Sequence, residues 1–116
     1  AIGRISKKIL EKNNLWEKVQ KNVIVKGPTV NQLIIYPALK QVDATIVWKD
    51  ITAWAEKKDK INTITIPGEQ NIINSIPTAV TTGSTNQELA IKFNSFISSP
   101  EGLKVWKKWG FDPCPK

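Results

Sequence analysis

The stretch "GSTNQELAIKFNSFISSPEGLKVWKKWGF", residues 83–111, carries the clearest structural signals in the chain. Thr85 and Glu88 stand three apart, the spacing of a capping box that satisfies free N–H groups at a helix start. Leu89, Phe93, Phe96 and Ile97 then recur at helical spacing. Ser99 caps a second helix, Pro100 occupies its first position, and Gly110 stops it. Leu103, Trp106 and Trp109 form the apolar stripe of that second helix. Tryptophans at this spacing read as core or inter-helix packing before they read as ligand-stacking surfaces.

Upstream, short helices alternate with β-branched runs. Ile5, Ile9 and Leu10 give "GRISKKILEK" a helical face, and Asn13-Asn14 mark a break. Leu15, Trp16 and Val19 make a further short helix. "TVNQLIIYPALKQ" reads as a helix capped by Thr29, with Leu33, Ile34 and Leu39 inward. Pro37 conflicts with that reading, because proline removes a backbone donor and should kink the helix. "ITAWAEKK" is a short helix with Lys57 and Lys58 near its negative end. Four runs read as strands: "NVIVK" at 22–26, "DATIVW" at 43–48, "INTITI" at 61–66 and "IPTAVTT" at 76–82. The third stops at Pro67-Gly68, and Pro77 marks the fourth as an edge or an irregular crossover. Alternation of this kind predicts an α/β chain with a largely parallel sheet.

Bulk properties narrow the function. A chain of 116 residues suffices for one modest domain. No apolar run approaches the roughly 20 residues a membrane span needs. The first residue is Ala, so the chain reads as a processed or truncated product whose absent part held any export signal. Net charge is +7, which suits an anionic partner, yet 16 of the 17 basic residues are scattered lysines. Arg4 is the single arginine, and arginine is the preferred reader of bases and phosphates. Nucleic acid is therefore not an expected partner.

Histidine is absent, which removes His-based zinc sites, Ser–His and Cys–His dyads and the usual proton shuttle. Cys114 is the one cysteine and has no base in view; it reads as a surface thiol or as half of a disulfide to an absent segment. Asp43, Asp50, Glu56, Asp59 and Glu69 fall on different elements, and their spacing gives no reason to pair them as acid and base. No Walker loop or dinucleotide fingerprint is present. The chain is not expected to be an enzyme.

Two helix starts stand out instead. One is Ile2-Gly3, the other "GPTVN" around Val30. Each offers unpaired N–H groups and the positive end of a helix dipole. Aimed at one point, they would hold a compact oxyanion through neutral donors. Ordinary capping is the competing reading, because every helix has such an end.

The residues also carry a family resemblance. "IGRISKKILEKNNLWEKV", the helix start at Val30, "DATIVWKD", "TIP", "IPTAVTTGSTN" and "ELAIKFNSFISSPEGLKVWKKWGF" together resemble the C-terminal half of molybdate-binding proteins. These serve ABC transporters and belong to the type II periplasmic binding-protein superfamily. The final motif is shared widely in that superfamily; Gly–helix–"LW", "DA.IVW" and "IP" together point to its molybdate and tungstate group.

The resemblance implies a three-layer lobe, a mixed and mostly parallel sheet flanked by helices. It places most of the second ligand-binding lobe in 1–80. Residues 81–116 become a crossover and C-terminal helices that return, from Asn86 on, to an absent first lobe. Alone, the chain would leave Leu103, Trp106 and Trp109 exposed. Two lobes would close on molybdate or tungstate, a transported ligand rather than a cofactor. Backbone N–H groups at Ile2 beside Gly3 and at Val30 would donate to it, as would the side chain at Trp48, with no protein ligand to a bare cation. Trp48 stands where the family usually has Tyr; its indole N–H donates but cannot accept. Ile2 stands where the family usually has a small residue.

The implied partners are the small oxyanion, an ABC permease and the N-terminal half of the same protein, at an extracytoplasmic location without direct membrane insertion. A second reading is a sensor or regulatory domain that reuses the fold and binds a different small ligand.

Overall fold

The computed structural model describes residues 2–54 and 58–114. The elements in chain order are α1 (Ile2–Lys12), α2 (Trp16–Gln20), α3 (Gln32–Ala38), α4 (Lys49–Trp54), a 3-10 turn (Lys58–Lys60), α5 (Gln87–Ile97) and α6 (Pro100–Lys108). The chain divides into two compact units, Ala1–Ile73 and Asn74–Lys116.

Among the described residues no strand forms. This corrects the α/β expectation and the sheet-centred, three-layer lobe with it. The runs 22–26, 43–48, 61–66 and 76–82 are irregular in the structure. Side-chain type favours an extended backbone, but a strand exists only where a second run completes its ladder. Backbone hydrogen bonds at two of these runs are turn-like and local: Val23 N donates to Gln20 O, and Ser84 N just beyond the fourth run donates to Thr81 O. Burial agrees, since Ile24 is 76% exposed and Ile64 is 89% exposed.

In the first unit, α1 and α2 pack on each other. Ile9 is buried, with Ile5 one turn earlier and Leu10 beside it in sequence both half-buried. Asn14 ends α1 in the left-handed region at φ 56°. Leu15 N returns to Leu10 O at 2.8 Å and Asn14 N to Glu11 O at 3.0 Å, the paired bonds of a Schellman cap. The break expected at Asn13-Asn14 is this cap. Lys12 Nζ donates to Asn71 O and Asn13 Nδ2 to Gln70 O, which ties the end of α1 to the turn after Pro67.

α3 resolves the Pro37 conflict. Proline lacks the N–H that would bond to Leu33 O, and Thr45 Oγ1 donates to that carbonyl at 2.7 Å instead. Pro37 therefore sits inside the helix without leaving its partner carbonyl bare. Thr45→Val keeps the shape and removes the donor, and should lower stability by about 1–3 kcal/mol, read by urea denaturation.

The end of α3 repeats the Schellman pattern, with Gln41 N to Tyr36 O and Lys40 N to Pro37 O, both 2.9 Å. Here the left-handed position is Lys40, at φ 57°. A residue with a Cβ pays roughly 1–2 kcal/mol there. Lys40→Gly should thus stabilise the protein by up to about 1 kcal/mol after the flexibility of glycine in the unfolded chain is subtracted, a rise in the urea midpoint.

α4 begins at Lys49, two residues before "ITAWAEKK", and its Ile51 is buried. The end of that segment, with Lys57, lies outside the described residues. α3 and α4 each pack on the 3-10 turn.

The second unit is a helical corner. The N-cap of α5 is Asn86, whose Oδ1 accepts from Leu89 N at 3.1 Å. This displaces the expected Thr85 cap by one residue and leaves Glu88 outside a capping box. Gln87 Nε2 meets the carbonyls of Thr81, Thr82 and Ser84, which holds the 81–84 turn against the helix start. At the other end, Ser98 Oγ donates to Asn94 O, Ser99 N donates to Phe96 O, and Trp106 Nε1 donates to Ile97 O at 3.0 Å. A tryptophan on α6 thus satisfies a terminal carbonyl of α5.

The α6 signals hold as read. Ser99 Oγ accepts from Gly102 N, Pro100 opens the helix, and Gly110 closes it at φ 88°. Phe111 N reaches Trp106 O, and their rings meet edge to face at 5.1 Å, the apolar contact that accompanies a Schellman cap. Trp106 is therefore a packing residue. Leu103 and Trp109, the rest of its stripe, remain 40% and 49% exposed.

Candidate functional site

The residues singled out for oxyanion binding are Ile2, Gly3, Val30 and Trp48. The structure gathers two of them. Ile34 and Ile51 are the buried pair at the centre of a cluster, and Val30, Val47, Trp48 and Ile61 pack around that pair. Val30 precedes α3 and Trp48 precedes α4, so both lie where an irregular run turns into a helix. Their side chains meet one hydrophobic support, and their polar N–H groups are carried beside it.

The local chemistry follows from helix-start geometry. Asn31 O accepts from both Ile34 N and Ile35 N, at 3.0 and 3.2 Å. The N-cap of α3 is Asn31, without a side-chain capping bond, rather than the expected Thr29; Thr29 Oγ1 accepts only a long bond from Gln32 N at 3.4 Å. Trp48 O accepts from Ile51 N at 3.2 Å and starts α4. Among the described residues, neither the Val30 N–H nor the Trp48 indole N–H has a hydrogen-bond partner. Both remain available as neutral donors.

Ile2 and Gly3 lie in the first turn of α1, whose leading N–H groups have no acceptor within the helix. Ile2 O accepts from Ser6 Oγ at 3.0 Å, so the carbonyl of this peptide is engaged. Gly3 is exposed, and a Cβ built on it would meet nothing within 4 Å. Neither residue belongs to the cluster that holds Val30 and Trp48.

Sequence reasoning passed over Gln32. Its Oε1 is buried without a partner in the first turn of α3, next to the Val30 peptide in sequence. No pattern in the sequence marks a single enclosed amide oxygen. The supports Ile34 and Ile51 were also invisible as a pair, since they come from separate segments.

The second unit has an open groove of about 420 Å³ between the 78–84 stretch and α5, lined among others by Thr78, Val80, Ser84, Ala90, Phe93 and Ile97. None of the four singled-out residues lines it. Cys114 is exposed and free, with its Sγ 3.5 Å from Ser75 Oγ. Among the described residues, no group of three or more Asp, Glu or Cys side chains could hold a metal ion. Among the same residues, no helix is long and apolar enough to cross a membrane.

The class of the protein comes from comparison with known proteins. The chain belongs to the bacterial extracellular solute-binding protein family, whose model matches residues 1–112. It is 29% identical over 109 residues to the Bacillus subtilis protein named "Putative ABC transporter substrate-binding lipoprotein YvgL", covering 94% of this chain and 41% of that one. It is 26% identical over 114 residues to a Haemophilus influenzae protein named "Putative binding protein", covering 98% of this chain and 45% of that one. The chain thus spans less than half the length of these curated relatives. No solved structure gives a significant match.

Proposed function

We propose that the chain is part of the solute-binding component of an ABC importer, and that its solute is a tetrahedral oxyanion, molybdate or tungstate. The family match over residues 1–112 carries the solute-binding reading. The name of the Bacillus relative supports the ABC-transporter setting. The residue resemblance described above supports the choice of anion.

In this reading the anion rests on neutral donors: the backbone around Ile2 and Gly3, the Val30 N–H and the Trp48 indole. Helix starts favour negative charge through their dipoles, and a dry cleft strengthens each such bond. A site built this way needs no lysine, so the net charge of +7 belongs to a solvated surface. A first lobe outside this chain supplies the other wall and further hydroxyl donors. The assembled protein works outside the cytoplasm, delivers its solute to a membrane permease, and performs no chemistry on it.

Thermal denaturation of the two-lobed protein with molybdate, tungstate, sulfate and phosphate tests the reading. Molybdate or tungstate should raise the midpoint progressively, by about 2.7 kcal/mol of stabilisation at 100 times Kd. Absence of any shift with all four anions overturns it. Trp48→Phe keeps an aromatic ring on the Ile34–Ile51 pair and removes the N–H. A hydrogen bond to a charged group contributes about 1.5–3 kcal/mol, so molybdate affinity should fall roughly ten- to a hundredfold. Unchanged affinity in calorimetric titration would remove Trp48 from the site.

A further inference from the structure

We draw no further inference here: the strongest candidate, the exposed apolar side chains that Leu89, Phe93 and Phe96 of α5 and Leu103 and Trp109 of α6 present in the second unit, carries nothing because nothing in the structure shows what covers them.

Discussion

Gly102→Ala is expected to dismantle the corner between α5 and α6. Gly102 is buried on the first turn of α6, and a Cβ placed on it would overlap Phe96 O and lie 2.8 Å from Ile97 C and Cα. All three are backbone atoms of α5, so no rotamer change can relieve the overlap. Relief requires the two helices to separate. Separation would cost the Trp106 Nε1 bond to Ile97 O and the Ser99 cap on Gly102 N. Overpacking alone typically costs 1–3 kcal/mol, and the lost cap and indole bond add about 1 kcal/mol each. A total above about 3 kcal/mol rivals the whole stability a small core supplies. Near-UV circular dichroism should show loss of the fixed tryptophan environment, and the urea midpoint should drop sharply. Gly83→Ala is the control, because a Cβ there meets nothing within 4 Å; its effect should stay within about 0.5 kcal/mol. If Gly102→Ala matched the parent protein in both measurements, the close helix approach would be refuted.

That corner also shows which structural levels can be read from residues. Ser99, Pro100 and Gly110 were legible because capping is local: donor, acceptor and conformation lie within a few residues. The Asn14 break was legible for the same reason. Thr85 was misread by one position because Asn86 beside it has an equally competent oxygen, and only the backbone decides which one faces Leu89 N. Gly102 falls within the motif that carries the family resemblance, but no local pattern gives its packing role, since that role is set by the backbone of another helix.

The four expected strands mark the opposite limit. β-branched residues bias φ and ψ, but the bias becomes a strand only through a partner that no local pattern names. Thr45 illustrates the point in small. It sits in one such run and bonds to Leu33 O on α3, so its segment is held by a helix carbonyl and not by a ladder. The Pro37 problem and its solution lay twelve residues apart in sequence and could not be paired in advance. Among the candidate binding residues, Ile2 and Gly3 do fall in the first turn of α1, while Val30 precedes the N-cap of α3, which is Asn31. The sharing of one support by Val30 and Trp48 was not legible, because it depends on Ile34 and Ile51 meeting across α3 and α4.

Ile34→Ala should destabilise the first unit by about 2–4 kcal/mol, and should weaken solute binding as well. Ile34 is 1% exposed and faces Ile51, itself 4% exposed. Truncation removes buried methyl and methylene groups and leaves a cavity that neighbours fill only in part. The neighbours here include Val30 and Trp48, so any collapse moves the two donors that the oxyanion reading places beside each other. Ile34→Val removes one methylene and should cost only about 0.5–1.5 kcal/mol. With a urea slope near 1 kcal/mol per molar, the two variants should differ by at least half a molar in midpoint. Binding then separates support from contact. Trp48→Phe should lower molybdate affinity while the urea midpoint changes little. Ile34→Val should lower the midpoint while affinity, measured well below the unfolding transition, changes less than threefold. Ile34→Ala should lower both. Loss of affinity in Ile34→Ala without loss of stability would contradict the assignment of Ile34 as a support. Loss of stability with affinity intact would place the solute away from Val30 and Trp48.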